Sequence, residues 1–397
     1  MDNYQTGTAA NINVLLSTLD TWLVSTVGYT RNLTPTTVGS GSRAHYQITT
    51  TRGNTLYANF RSFRKETWNT IFTGAVNNYT GGNLIDGLAM NLSKAYTGTG
   101  VLFDIQGGHP KSGDSYHDGL AAVAAAYDNV PAYYFFHLSN PHLIIVLLEW
   151  QLGQSSFLIW GEPDSNGAGT FSPNNGYFFT GSSGKITPWN YGPTSSVFPD
   201  SNDFYQGLRL PFSYYQFFNA PQTTSHYEHN IYFQLDSSLH TGADGWLGPA
   251  DDSATPNSRV TTYSGAGHDG YNMPGIVVGL KDWSSQNRRL PWLRPDWDGY
   301  SAGQRMVNQA AGVSVFFPIM LWWGKNNHDF AYLGSIPEVF FVSLQILTPG
   351  DTIVLGSDEY LVACAGKKPN PFDFTPQYDP NARADHNYGY GLVIKKN

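Results

Sequence analysis

The run His142-Leu143-Ile144-Ile145-Val146-Leu147-Leu148-Glu149-Trp150 decides the fold. Residues 143–148 are aliphatic without a break. Successive side chains of a strand point to opposite faces, so an unbroken apolar run leaves no face for water. Such a strand belongs at the centre of a sheet that is covered on both sides. Its neighbours read the same way. Residues 133–138 and 156–160 are apolar runs, set off by Ser139-Asn140-Pro141 and by Gln151-Leu152-Gly153-Gln154. The three together predict an antiparallel meander.

Upstream, the apolar positions Ile12, Leu15, Leu16, Leu19, Trp22, Leu23 and Val27 recur at three- and four-residue steps. They predict an amphipathic helix over 8–27, stopped at Gly28. The period then changes to two. Residues 45–49 and 56–60 alternate around Arg52-Gly53-Asn54, a hairpin signal. Residues 98–118 read as a long Gly- and Asp-rich loop, and the Ala-rich stretch 119–127 as a short helix. Residues 163–204 are rich in Ser, Gly, Asn and Pro with aromatic islands such as Tyr177-Phe178-Phe179. Short strands are expected near Leu208, Ile231, Val260 and Ile276, with another loop over 241–258. Pro318 interrupts the apolar stretch 313–323, which predicts an edge strand or two short ones. Strands over 339–347, 351–355, 360–364 and 388–394 complete the chain.

Strands do not alternate with helices of 10–15 residues, so a parallel α/β fold is disfavoured. No fixed internal period points to a solenoid or propeller. The expected class is mainly β: antiparallel β-sandwich-like sheets, one N-terminal amphipathic helix, and long aromatic, Gly/Pro-rich loops. The organisation divides into 1–97, helix and hairpin; 98–130, loop and short helix; 131–330, the central antiparallel region; and 331–397, a C-terminal β region.

Composition narrows the function. The 397 residues include 11 Trp, 25 Tyr and 23 Phe, yet only 13% are charged, against about 25% in ordinary soluble domains. This balance argues against disorder. The net charge is −8, and basic residues cluster only as the pairs Arg288-Arg289, Lys367-Lys368 and Lys395-Lys396. Nothing tracks a phosphate backbone or an anionic membrane, so neither nucleic acid nor membrane is an expected partner. The single cysteine, Cys364, lies in an apolar run, which favours burial and rules out an intrachain disulfide. The start, Met1-Asp2-Asn3-Tyr4, lacks the charged and apolar regions of a secretory leader.

The motifs that would carry chemistry are incomplete. Gly299-Tyr300-Ser301-Ala302-Gly303 fits G-x-S-x-G, and Ser301, Asp358 and His386 follow in hydrolase order. The preceding Leu293-Arg294-Pro295-Asp296-Trp297-Asp298 is no central strand, so the elbow lacks its context. His226 and His229 flank Glu228 but miss H-E-x-x-H, and on a strand they would face opposite ways. Asp296-Trp297-Asp298-Gly299 fails the EF-hand spacing, and Asp244, Asp251 and Asp252 fit a solvated turn. Glu149 and Glu162 could form a glycosidase pair, which needs a separation of about 5–9.5 Å. Gly98-Thr99-Gly100 lacks the third glycine of a dinucleotide fingerprint, and there is no Walker A motif. No metal, cofactor or catalytic set is therefore expected.

Segments near both ends resemble a family of tailed-bacteriophage virion proteins. At the start these are the helix over 9–22, the break Gly28-Tyr29, and Tyr57-Ala58-Asn59-Phe60-Arg61-Ser62-Phe63. Toward the end they are Tyr332-Leu333-Gly334-Ser335-Ile336-Pro337, Leu347-Thr348-Pro349-Gly350-Asp351-Thr352-Ile353, Gly356-Ser357-Asp358-Glu359-Tyr360 and Tyr388-Gly389-Tyr390-Gly391-Leu392. Residues 64–330 match nothing in that family. The resemblance implies a structural subunit of the neck, collar, tail or baseplate, located in the virion after assembly in the host cytoplasm, with no enzymatic residues. The composition agrees, because interface cores are poor in charge and rich in aromatics. The expected partners are copies of the chain on a cyclic axis and other phage structural proteins. Candidate contact residues are the loop aromatics Trp189, Tyr191, Tyr214, Tyr215, Phe217, Trp292 and Trp297, whose alternative role is local loop core. A glycan- or receptor-binding module on the same particle is the second reading, and a hydrolase the third.

Overall fold

The computed structural model describes residues 1–66, 85–101, 105–110, 121–124, 129–151, 154–164, 176–181, 231–234, 246–247, 259–262, 316–324, 330–343, 347–363 and 390–397. Its centre is the predicted meander: β7 (Val130–Ser139), β8 (His142–Gln151) and β9 (Gln154–Gly161). Around it a seven-stranded sheet forms in the order β1-β7-β8-β9-β10-β11-β12, with β1 at Asn3–Ala9, β10 at Tyr177–Gly181, β11 at Ile231–Gln234 and β12 at Trp246–Leu247. Every pairing in it is antiparallel.

Both faces of this sheet are buried, as the sequence of β8 requires. Ile144, Val146 and Leu148, with Phe135, Leu158, Trp160 and Phe179, point into one core. Leu143, Ile145 and Leu147, with Phe136, Phe157, Ile159 and Phe178, point into another. Each core is closed by a further sheet. On the first side lies a five-stranded sheet, β2 (Thr30–Val38), β3 (Gly41–Thr49), β4 (Thr55–Glu66), β5 (Ile85–Ser93) and β6 (Ala121–Ala124), in that order. On the second side lies a six-stranded sheet in the order β13-β14-β15-β18-β17-β16. Its strands are β13 (Arg259–Thr262), β14 (Phe317–Gly324), β15 (Phe330–Ser343), β16 (Thr352–Leu355), β17 (Asp358–Ala363) and β18 (Tyr390–Lys395). The chain is thus a three-layer stack of antiparallel sheets.

The helix α1 (Ile12–Trp22) continues through a π-helical turn, Leu23–Val27, and ends at Gly28 with φ 94°. Its apolar residues enter the first core, and it touches β1 and β7 on one side and β2, β3, β4 and β5 on the other. The predicted helix began too early. Asn11 caps it, its Oδ1 accepting from the N–H groups of Asn13 and Val14 at 3.0 and 3.1 Å. The residues before it form β1, whose Asn3 to Thr6 pair with His137 to Tyr134.

Other differences have equally local causes. The Ala-rich stretch contributes β6, not a helix, at residues 121–124, because β5 offers Met90 to Gly87 an open edge there. The aromatic island at 177–179 opens β10, and its alternate rings fill both cores. Pro318 lies in a strand with neighbours on both sides, but β13 reaches only Leu321 to Gly324. Among the described residues the strand pairing at the proline end of β14 is with β15, beside a register shift between Pro318 and Ile319. That is where a residue without an N–H is tolerated.

The two sheets of the first core meet where Phe60 of β4 sits edge-on to Trp160 of β9 at 5.4 Å, and within the five-stranded sheet Tyr46 of β3 sits edge-on to Phe60 at 5.8 Å. All three side chains are fully buried. Truncating Phe60 removes both contacts and leaves a cavity between layers. Phe60→Ala is expected to lower stability by about 3–5 kcal/mol, read as a fall in the urea midpoint with an unchanged slope.

Candidate functional site

Three places in the described residues hold groups that a plain β-sandwich would not need. The first lies where the β3–β4 hairpin meets the start of β8. Gly161 ends β9 at φ 147°, and a Cβ there would lie 2.1 Å from the carbonyl oxygen of His142. That approach is open only to glycine. It turns Glu162 inward, where the side chain is completely buried. Glu162 Oε1 accepts from Thr50 Oγ1 and Asn54 Nδ2, both at 2.6 Å, and Oε2 from the His142 N–H at 3.2 Å. Arg52 Nε stands 4.0 Å away, and its guanidinium donates to the Pro163 carbonyl at 2.8 Å.

His142 carries the network across the layer. Trp160 Nε1 donates to the Tyr29 hydroxyl at 3.0 Å, and that hydroxyl lies 2.9 Å from His142 Nε2. Indole can only donate, so the tyrosine proton is directed at His142 and the imidazole keeps its own proton on Nδ1. Burial, then the His137 ring at 5.3 Å, pushes the His142 imidazole down to about 3. Burial pushes the Tyr29 phenol up. An unionised phenol and a neutral imidazole fit this chain of donors, and the assembly acts as a staple between sheets.

Glu149 is the other member of the carboxylate pair read from the sequence. It faces Ala132 and Ser155 near the far end of β8, whereas Glu162 lies beside His142 at the near end. At 3.3 Å per residue that is about 20 Å along the strand. The two carboxylates cannot flank one glycosidic bond.

The second place is the outer face of the five-stranded sheet. Cross-strand rows there read His45–Asn59–Asn91 and Arg43–Arg61. Residues 94–101 and 105–110 cover them: Lys94 and Ala95 donate to the Gly107 carbonyl, and the buried Gln106 amide donates to Val101 at 3.0 Å. His45 Nδ1 lies 2.8 Å from Asn59 Oδ1, while Asn59 Nδ2 donates to Asn91 Oδ1 at 2.9 Å and Ser93 Oγ at 3.0 Å. The Asn59 oxygen is therefore an acceptor, His45 carries its proton on Nδ1, and Nε2 presents a lone pair. His45 Nε2 and the neighbouring Arg43 Nε are buried and meet no hydrogen-bond partner among the described residues. Burial, more than Arg43 beside it, pushes the His45 imidazole down to about 4. Arg43 is anchored by the carbonyls of Val101, at 3.3 Å, and Thr99.

The third place is the rim of the six-stranded sheet. β16 is its last strand, and Val354 and Leu355 are 62% and 51% exposed. An open groove of about 350 Å³ also follows the outer face of α1, lined chiefly by Ser17, Thr18, Thr21, Ser25 and Thr26 with Gln5. It offers hydroxyl and amide groups.

The contact aromatics Trp189, Tyr191, Tyr214, Tyr215, Phe217, Trp292 and Trp297 lie outside the described residues, as do Ser301, His386, His226, Glu228, His229, Asp244, Asp251, Asp252, Asp296, Asp298 and Cys364. Asp358, the acid of the formal triad, opens β17 and pairs with Lys395 Nζ at 3.1 Å. Sequence reading missed Tyr29, His45, Arg43 and Thr50. A signal for the second place was present: polar residues alternate at 43 and 45, at 59 and 61, and at 91 and 93. Comparison with protein-family models and with curated proteins finds no match.

Removing the Glu162 carboxylate strands the buried donors of Thr50, Asn54 and His142. Glu162→Ala is expected to cost about 3–5 kcal/mol, measured by urea unfolding. Burial sets a pH dependence through the two most depressed imidazoles, His45 and His142, with His137 shifted the same way. Each is neutral in the fold and takes up a proton near pH 6.5 when unfolded. Their contribution is full above about pH 6.5 and declines as the pH falls toward about 4, by on the order of 1 kcal/mol per unit for each. Unfolding midpoints at pH 7, 6 and 5 should fall in sequence, and His142→Gln should flatten that fall.

Proposed function

We propose that this chain is a structural subunit of a tailed-phage virion, in the neck, collar, tail or baseplate, joined to copies of itself and to neighbouring subunits. The observation that carries the reading is β16. Among the described residues Thr352-Ile353-Val354-Leu355 pairs with β17 alone, its Val354 and Leu355 side chains are exposed, and the strand holds no lysine or proline. Edge strands in proteins that remain single are blunted by such residues. The edge of the five-stranded sheet is treated that way: β2 contains Pro35, exposes Thr30 and Arg31, and breaks register with β3 at two points. One outer edge is thus closed to strand addition and the other is left suited to it.

The segments that resemble phage virion proteins support the same assignment by position. Tyr332 to Pro337 lie in β15, Thr352 to Tyr360 form the β16–β17 hairpin, and Tyr390 to Leu392 open β18. All three belong to the six-stranded sheet that ends in β16. A rigid three-layer body with one receptive rim suits repeated contacts about a cyclic axis.

Light scattering coupled to size exclusion tests the reading. The purified chain is expected to run as a defined oligomer at micromolar concentration, and Val354→Lys with Leu355→Lys to shift it toward smaller species with an unchanged far-UV spectrum. A wild-type chain that stays monomeric, alone and with isolated phage particles, overturns it.

A further inference from the structure

We propose that the Arg43–His45 face of β3 is a binding site for a phosphate group that retains an acid hydroxyl, either free phosphate or a terminal phosphomonoester. This goes beyond the assembly role and does not depend on it.

Two unpartnered atoms of opposite character lie on this face. Arg43 and His45 are two residues apart on one strand, so their side chains share a face and their Cα atoms are about 7 Å apart. Arg43 Nε–H is a buried donor without an acceptor, and His45 Nε2 a buried lone pair without a donor, among the described residues. Arg43 also lacks a carboxylate among those residues, since its remaining bonds go to the uncharged carbonyls of Thr99 and Val101. A guanidinium left with neutral acceptors favours an anion, and its planar fork matches an oxyanion.

His45 decides which anion. Its lone pair must receive a hydrogen, because Asn59 fixes the imidazole proton on Nδ1 and burial keeps the ring neutral. A ligand that satisfies both atoms accepts at one oxygen and donates from another. Hydrogen phosphate and dihydrogen phosphate both do this, and so does the monoanion of a phosphomonoester. Sulfate has no hydrogen at neutral pH and would set its oxygen lone pairs against that of His45. A phosphodiester, the linkage of nucleic acids and of most phospholipid headgroups, lacks the hydroxyl too. Arg43 is half-buried, and its guanidinium donates to the Thr99 carbonyl within the Gly98-Thr99-Gly100 turn. A Cβ added at Gly98 or Gly100 would meet nothing within 4 Å, so this side of the turn is free of packing.

Isothermal titration of the full-length chain at pH 6, where about half of a phosphomonoester still carries its acid hydroxyl, and at constant ionic strength, with inorganic phosphate, sulfate, phenyl phosphate and dimethyl phosphate, provides the test. Phosphate is expected to bind at least tenfold more tightly than sulfate, and dimethyl phosphate not to bind. Binding of phenyl phosphate as well as phosphate assigns the site to monoesters; binding of phosphate alone assigns it to the free anion. Arg43→Gln should abolish the heat of phosphate binding. His45→Gln, whose amide can donate, should raise sulfate binding to the level of phosphate. Because the first comparison needs no substitution, a folding defect in either variant leaves it standing. Absence of phosphate binding to the wild-type chain, or equal affinity for phosphate and sulfate, overturns the proposal.

Discussion

The architecture depends on one constraint: the central sheet has no face that can meet water. Along β8 the side chains of residues 143–148 divide evenly between two cores, and Phe135 and Phe136 on β7 and Phe178 and Phe179 on β10 do the same. A sheet with one apolar face needs one cover. This sheet needs two, and the chain supplies them from opposite ends, the five-stranded sheet from its first third and the six-stranded sheet chiefly from its last fifth. Three stacked layers follow from that demand. The N-terminal helix fills the space that two twisted sheets leave at one side, which explains why it touches strands of both.

Apolar packing alone would let such layers slide, because it is not directional. Directional polar contacts cross the first interface. Glu162 holds the β3–β4 turn to the start of β8, and the Trp160–Tyr29–His142 chain ties the residue after the helix to the central sheet. Asp20 on α1 adds a third tie, taking a bidentate contact from Arg31 of β2 at 2.7 and 2.6 Å and the Tyr46 hydroxyl of β3 at 2.9 Å. Each of these joins elements that are distant in sequence, and each has its donors and acceptors matched.

The sequence disclosed what burial alone dictates. The hairpin around Gly53 and the apolar stripe of α1 were legible from periods of 2 and 3.6, and the meander with its double-sided β8 from unbroken apolar runs bounded by turn residues. The errors came where a neighbouring strand overrides local preference. Ala121 to Ala124 adopt β structure because β5 supplies an edge, and Asn3 to Ala9 because β7 does. The site was less legible. Arg43, His45, Asn59 and Asn91 alternate with apolar residues, a pattern that reads as a solvated face; only the fold brings residues 94–101 and 105–110 on top of it. Glu162 was noticed as a carboxylate, yet its neighbours Thr50, Asn54 and His142 come from two other turns, which no spacing along the chain connects.

The two buried polar regions are finished to different degrees, and the difference separates a structural device from a receptive one. Around Glu162 the carboxylate has three donors at hydrogen-bond distance and an arginine at 4.0 Å, so its charge is stabilised without a ligand. A fully matched buried network fixes geometry. Around His45 the bonds to Asn59, Asn91 and Ser93 are matched, and among the described residues Arg43 Nε and His45 Nε2, two residues apart on β3, are left without a partner. An unmatched buried polar atom costs about 1–3 kcal/mol. A fold that satisfies Thr50, Asn54 and Tyr29 so fully is able to satisfy such atoms. That it leaves a donor on Arg43 and an acceptor on His45 unmatched on one face of β3, among the described residues, is the physical ground for reading that face as made to receive something from outside the chain.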